Sequence, residues 1–183
     1  EELETEVITE EILYVSGETV RVVGRILSIS SDVSSHGFMI DVSENFDNPI
    51  VIELGETKKL GRYIGETKTL NVNTQYYCKA FVISNGQMIS GNTIELKTLS
   101  PFITDFSPKL GFENDILVVD GGNFTSNTEV YFGNAKAEIL EFNFESRLVV
   151  KVPFVSDGIY NVDIDVNVNE DILSFDDKFE YVT

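Results

Sequence analysis

Few side chains in this sequence could do covalent chemistry. His36 is the only histidine, in Ser34-Ser35-His36-Gly37, and Cys78 is the only cysteine. A serine and a histidine act as nucleophile and base only when a carboxylate holds the ring in three dimensions, which neighbours on a loop do not provide. His36 is therefore read as a solvated loop residue. Cys78 falls on the inward side of the alternating run Tyr76 to Ala80 and has no second cysteine, so it reads as a buried structural thiol. Gly121-Gly122-Asn123 resembles a phosphate loop in composition, but a phosphate cradle needs a following helix whose amides face the anion. A turn and another strand follow instead, so the glycines are read as permitting positive φ in a tight turn. Asn123-Phe124-Thr125 also spells a glycosylation acceptor.

Two weaker constellations concern binding. Asp163 and Asp165 alternate along one strand face, and Asp171, Asp176 and Asp177 are placed on the loop that follows, so five hard oxygen ligands could converge at one end of a sandwich. Ca²⁺ wants 6–8 oxygens, and the D-x-D-x-D-G loop of an EF-hand is absent, so a solvated acidic face is the preferred reading and no cofactor is expected beyond that Ca²⁺ candidate. For sugar stacking the chain offers no tryptophan, and the candidate ligand-binding aromatics are Tyr63, Phe142 and Phe144. In Glu141-Phe142-Asn143-Phe144-Glu145 the two phenylalanines share one face and the acids the other, which favours packing between strands. No acid/base pair, nucleophile set or metal-ligand cluster stands out, so no catalytic residue is assigned and no enzymatic activity is expected.

The elements that must carry these residues are strands. Apolar side chains alternate with polar ones in residues 19–26, 49–54, 76–82 and 93–97, each run bounded by Gly, Asn, Ser or Pro. The period of two is cleanest at residues 160–168, where Tyr160, Val162, Ile164, Val166 and Val168 are predicted to face a core. No window holds a helical stripe for three turns. The prediction is an all-β protein.

With 183 residues the chain is comfortable for two domains of about 100 residues each. Leu99-Ser100-Pro101 is the predicted boundary, because a strand pattern ends at Thr98 and the proline forces an extended connection. Residues 1–11 are acidic and read as a linker or tail.

The chain carries 13 basic and 31 acidic residues, a net charge of −18. Residues 100–183 hold 5 of the basic and 16 of the acidic side chains, a net of −11. Such a surface repels phosphate backbones and anionic lipid headgroups, so nucleic acid is excluded as a partner and direct membrane insertion is not expected. No run of 18 apolar residues is present. Nor does the chain open with a basic and then an apolar region, so an exported form would already have lost its signal.

Two resemblances follow from the punctuation. Ile103, Phe106 and Pro108, then Gly111, Leu117 and Val119, then Gly121-Gly122-Asn123-Phe124, Val130, Phe132-Gly133, Ala135, Ala137, Leu148, Val150, Val152-Pro153, Gly158, Tyr160, Val162, Phe179 and Tyr181 run in the order of an IPT/TIG immunoglobulin-like domain. It departs at Asn114-Asp115, where a second glycine is usual, and at the long, aromatic segment from Glu138 to Arg147. In the first half, Leu70-Asn71-Val72-Asn73-Thr74-Gln75-Tyr76 is similar to the run before strand F of fibronectin type III domains, with Val72 where proline is usual. Tyr76 would then be the tyrosine-corner residue, its hydroxyl returning to the upstream backbone.

Together they imply two tandem immunoglobulin-like β-sandwich domains, fibronectin type III-like at 12–99 and IPT/TIG-like at 100–183. The resemblance further implies an exported Bacteroidota protein, often a lipoprotein, at the cell surface (outer-membrane associated) or in the periplasm. Its role there would be a non-enzymatic spacer or recognition module with a protein or glycan partner. The alternative is a glycan-binding protein of a polysaccharide-uptake system.

Overall fold

The computed structural model describes residues 3–143 and 146–183, and among them the chain forms strands and turns and no helix. It divides into two compact units, Glu1–Leu99 and Ser100–Thr183.

The first unit contains β1 (Glu6–Val15), β2 (Val20–Ser28), β3 (Val33–Asp41), β4 (Ile50–Glu53), β5 (Gly61–Thr67), β6 (Gln75–Ser84) and β7 (Gln87–Lys97). They form two antiparallel sheets, in the orders β1-β2-β5 and β4-β3-β6-β7. Alternation puts Val20, Val22 and Ile26 of one sheet against Phe38, Ile40, Cys78, Ala80 and Val82 of the other, and all of these are buried. Tyr76 is buried at the edge of that core and its hydroxyl accepts the Asn71 N–H at 2.9 Å, the corner bond the sequence predicts.

Residues 6–11, expected as tail, are instead the first half of β1. The acidic composition misleads because only one side of this strand is wet. Val7 and Thr9 point inward, and the Thr9 hydroxyl donates to the Asn92 carbonyl at 2.6 Å while accepting the Ala80 N–H at 2.7 Å. On the other side, Glu10 joins Arg25 of β2 and Arg62 of β5.

His36 is also corrected. It lies within β3, is buried, and its Nδ1 sits 2.7 Å from the Gly55 carbonyl. A carbonyl can only accept, so Nδ1 carries the proton.

The second unit contains β8 (Phe102–Ser107), β9 (Leu110–Gly111), β10 (Ile116–Gly122), β11 (Glu129–Phe132), β12 (Ala135–Lys136), β13 (Glu138–Asn143), β14 (Arg147–Lys151), β15 (Asn161–Val168) and β16 (Asp171–Tyr181). Its sheets run β13-β14-β10-β8 and β12-β11-β15-β16-β9, antiparallel except for the β9–β16 pair. Phe106, Leu117, Val119, Phe132, Leu148, Val150, Ile164, Val166 and Phe179 fill the space between them with no exposed surface.

Local chemistry explains the turns, with one reassignment. Gly121 and Gly122 belong to β10, and the positive φ of that corner falls on Asn123, at 55°. Gly121 is required for closeness, since a Cβ there would stand 2.2 Å from the Phe102 carbonyl oxygen. Asn114, where the family pattern has glycine, takes φ +73°, a conformation asparagine tolerates better than most residues.

Four carboxylates, Asp105 exposed and Glu10, Glu66 and Glu129 partly buried, are tuned by their neighbours. Burial works against the charge on Glu10, but the hydrogen bond and charge of Arg25, with help from Arg62, outweigh it and leave its pKa lowered. Hydrogen bonds hold Glu66 below the usual range from Arg21, Asp105 from Lys109, and Glu129 from Tyr131 and then Lys136. A carboxyl with a lowered folded pKa adds stability that is present above its unfolded pKa of about 4.5 and is lost as pH falls through the folded value. The melting temperature of the Arg25→Gln/Arg62→Gln variant should therefore fall less between pH 5 and pH 3 than that of the wild type. Parallel curves would remove Glu10 from the account.

Candidate functional site

The candidates for covalent chemistry are spent on packing. Cys78 has no exposed surface and burial pushes its thiol up to about 12, so almost no thiolate exists at neutral pH. His36 is held on Gly55 and lies edge-on to the Tyr63 ring at 4.8 Å. Asn123 donates its amide to the Ser100 carbonyl at 2.9 Å and Thr125 is buried, so the glycosylation acceptor is built into the corner.

The five aspartates do not converge. Asp171, Asp176 and Asp177 were expected on a loop, but β16 begins at Asp171, and only Asn169-Glu170 turns the chain from β15 into it. The polar alternation of 171–177 hid a strand whose outer face is acidic. Asp163 pairs with Lys178 at 3.3 Å, Asp177 with Lys109 at 3.4 Å, and Asp165 accepts from the Ser174 hydroxyl at 2.6 Å. Among the described residues no group of three or more potential ligands stands close enough to hold a metal ion. Ca²⁺ and Mg²⁺ at equal ionic strength should accordingly raise the melting temperature equally, by screening. A calcium-selective rise abolished by Asp171→Asn would contradict that.

The aromatic candidates fare differently from one another. Tyr63 of β5 is half-buried, its ring against Phe38 at 4.9 Å and its hydroxyl donating to the Gly37 carbonyl at 3.0 Å. Burial, and then the proximity of Cys78, raise its pKa strongly. It packs against the core cluster, with its hydroxyl engaged by a backbone carbonyl. Phe142 of β13 is half-buried opposite Leu148 of β14. Phe144 lies outside the described residues.

What the sequence reading missed is at one end of the second unit. Phe112, Phe154 and Ile159 line a groove of about 430 Å³ together with Glu113, Asn114, Asp157 and Tyr181. Their apolar side chains are 56%, 59% and 46% exposed, so the groove is open and greasy. The segment 154–159 also lines a second depression of about 370 Å³ against Phe132 to Ala135. Tyr160, predicted to face the core, is 68% exposed because β15 begins only at Asn161 and the turn before it rotates the chain. The Tyr181 hydroxyl donates to the Pro153 carbonyl at 2.7 Å, which ties the C-terminal strand to the base of this loop. Burial and then the nearby charge of Glu113 push Tyr181 up to about 12. The available signal was Pro153 followed by Ser156-Asp157-Gly158, a turn whose flanking apolar residues have no strand to bury them.

Residues 101–181, a little under half of the chain, match the model of the IPT/TIG domain family, so the second unit carries an IPT/TIG domain. No curated protein matches the chain. Among solved structures, one of the similar chains is a protein of unknown function from Bacteroides thetaiotaomicron, at 24% identity and a TM-score of 0.40 over 45% of this chain and 22% of that one. Another is the extracellular region of plexin A4, at 15% and 0.48 over 97% and 18%. A third is SGBP-B from a complex xyloglucan utilization locus in Bacteroides uniformis, at 14% and 0.42 over 96% and 48%. This chain thus spans less than half the length of each. No helix among the described residues is long and apolar enough to cross a membrane, which says nothing of β-barrels.

Proposed function

We propose that this chain is a non-enzymatic module of an exported Bacteroidota-type protein, held at the cell surface or in the periplasm, that combines a spacer with a recognition surface. The observation that carries this reading is the use to which the reactive side chains are put. The thiol is sealed in a core, the imidazole is fixed on a backbone carbonyl, and the candidate aspartates Asp163 and Asp177 lie on strands, each paired with a lysine. Exposed Phe112, Phe154 and Ile159 line one groove instead, with exposed Tyr160 next in the chain, where a partner could reach them. The exported setting and a lipid anchor rest on the IPT/TIG and fibronectin type III resemblances together.

A second reading, glycan binding, is favoured by the exposed rings of Phe112, Phe154 and Tyr160 beside Glu113, Asn114 and Asp157, which could accept sugar hydroxyls. A glycan array separates the two. Reproducible binding that is lost in Phe154→Ala would establish the second reading, and its absence is expected under the first. Turnover of any substrate that tracks the purified chain would overturn both.

A further inference from the structure

The groove between residues 112–114 and 154–159 sits in a unit of net charge −11, and the distribution of that charge around it is uneven. Four of the five basic side chains of this unit are already engaged. Lys109 pairs with Asp105 and Asp177, Lys136 with Glu129, Lys151 with Glu138, and Lys178 with Asp163. None of the five lines the groove, whereas Glu113 and Asp157 do, and neither carboxylate takes part in an ion pair among the described residues. The site therefore presents open aromatic and aliphatic surface under a negative potential that nothing local neutralises. Apolar anchors within a ring of one sign of charge are what protein interfaces use to combine contact area with choice of partner. A neutral sugar could use the carboxylates as hydrogen-bond acceptors but feels no long-range attraction from their charge, and a second copy of this unit would bring another −11 against it.

We propose that this groove is a docking site for a protein segment that carries lysine or arginine beside aromatic or aliphatic side chains, the apolar groups resting on Phe112, Phe154 and Ile159 and the cations facing Glu113 and Asp157. This rests on the reading of the chain as a recognition module. Tyr160, next in the chain and more exposed than any of the three, extends the apolar surface beyond the groove.

The test is panning of the full chain against a random 12-residue phage-displayed library, followed by titration of one enriched synthetic peptide. Enriched sequences should be net positive with at least one aromatic or large aliphatic residue, and affinity should fall as salt rises. Phe154→Ser/Ile159→Ser should weaken the peptide about tenfold or more, and Glu113→Gln/Asp157→Asn should weaken it and flatten its salt dependence. Both pairs are exposed, so unchanged melting curves would show the fold intact. Enrichment of neutral or acidic peptides, failure to enrich any peptide over the Phe154→Ser/Ile159→Ser chain, or binding that survives both variants would overturn the proposal. Binding of a neutral oligosaccharide, lost in Phe154→Ser/Ile159→Ser, would also overturn it while leaving a recognition module in place. So would concentration-dependent dimerisation in sedimentation that the same variant abolishes. Catalytic turnover would instead remove the reading beneath it.

Discussion

Gly37→Ala is expected to destabilise the first unit severely. A Cβ at this position would stand 1.7 Å from the Ile52 carbonyl oxygen and 2.9 Å from its carbon. Both are backbone atoms of β4, so no rotamer can move them aside. β3 and β4 would have to separate, and that disturbs the ladder Gly37↔Glu53 and Phe38↔Ile52 together with the Leu54 N–H to His36 carbonyl bond of 2.8 Å. It would also shift the Gly37 carbonyl that the Tyr63 hydroxyl reaches, and Phe81 stands 3.3 Å away on the other side. Overpacking with loss of one or two strand bonds costs about 3–4 kcal/mol, against a total stability of roughly 5–15 kcal/mol for a domain. The melting transition of a unit of this size should fall by on the order of 15 °C. Segment-resolved hydrogen exchange should place the lost protection in β3, β4 and β6. A shift worth less than about 1 kcal/mol would mean that β4 is a free edge that moves without cost.

Phe179→Ala should damage the second unit to a similar degree by the opposite route. The ring has no exposed surface and meets Phe132 and Tyr181 edge to face at 5.3 and 5.1 Å. Phe132 is held in β11 and Tyr181 is tied to Pro153, so neither can swing into the space left behind. A cavity that cannot collapse puts Phe→Ala at the upper part of its usual range, about 4–5 kcal/mol. Urea unfolding monitored at the amides of β11, β15 and β16 should show the midpoint fall, and Phe179→Leu should recover more than half of the loss. Equal losses in the alanine and leucine variants would show that shape, and not volume, is what the ring supplies.

The residues that obeyed the strand period were legible in the sequence. Val162, Ile164, Val166 and Val168 bury as their alternation requires, and the inward run around Cys78 does the same. Tyr76 was legible because its corner bond is local, five residues away. The failures are where polarity and burial part company. Thr9 and His36 are polar and inside, because each satisfies its groups on a strand or loop distant in sequence, Asn92 and Ala80 for one and Gly55 for the other. Phe112, Phe154, Ile159 and Tyr160 are apolar and outside, because the first follows β9 and the other three precede β15 in turns that interrupt the alternation, and periodicity carries no information across them. The exposed rim was thus hidden by the same rule that located the core. Gly121 shows a further limit, since its lack of a side chain answers to the Phe102 carbonyl of a neighbouring strand, and local turn preference cannot reveal that.

The bonds between Thr9 and Asn92 join residues 83 positions apart, and Gly91 lets β7 press to within contact of the Ile8 backbone. They set an order of events during synthesis. β1 is made before the rest of this unit, yet its inward side has no permanent neighbours until β6 and β7 are made, so nearly the entire first unit must exist before this strand can settle. Closing so long a loop places this unit among the slow, high-contact-order folders, with its earliest residues the longest exposed to mispairing. Glu6, Glu10 and Glu11 put negative charge on that waiting strand, which disfavours its pairing with another chain.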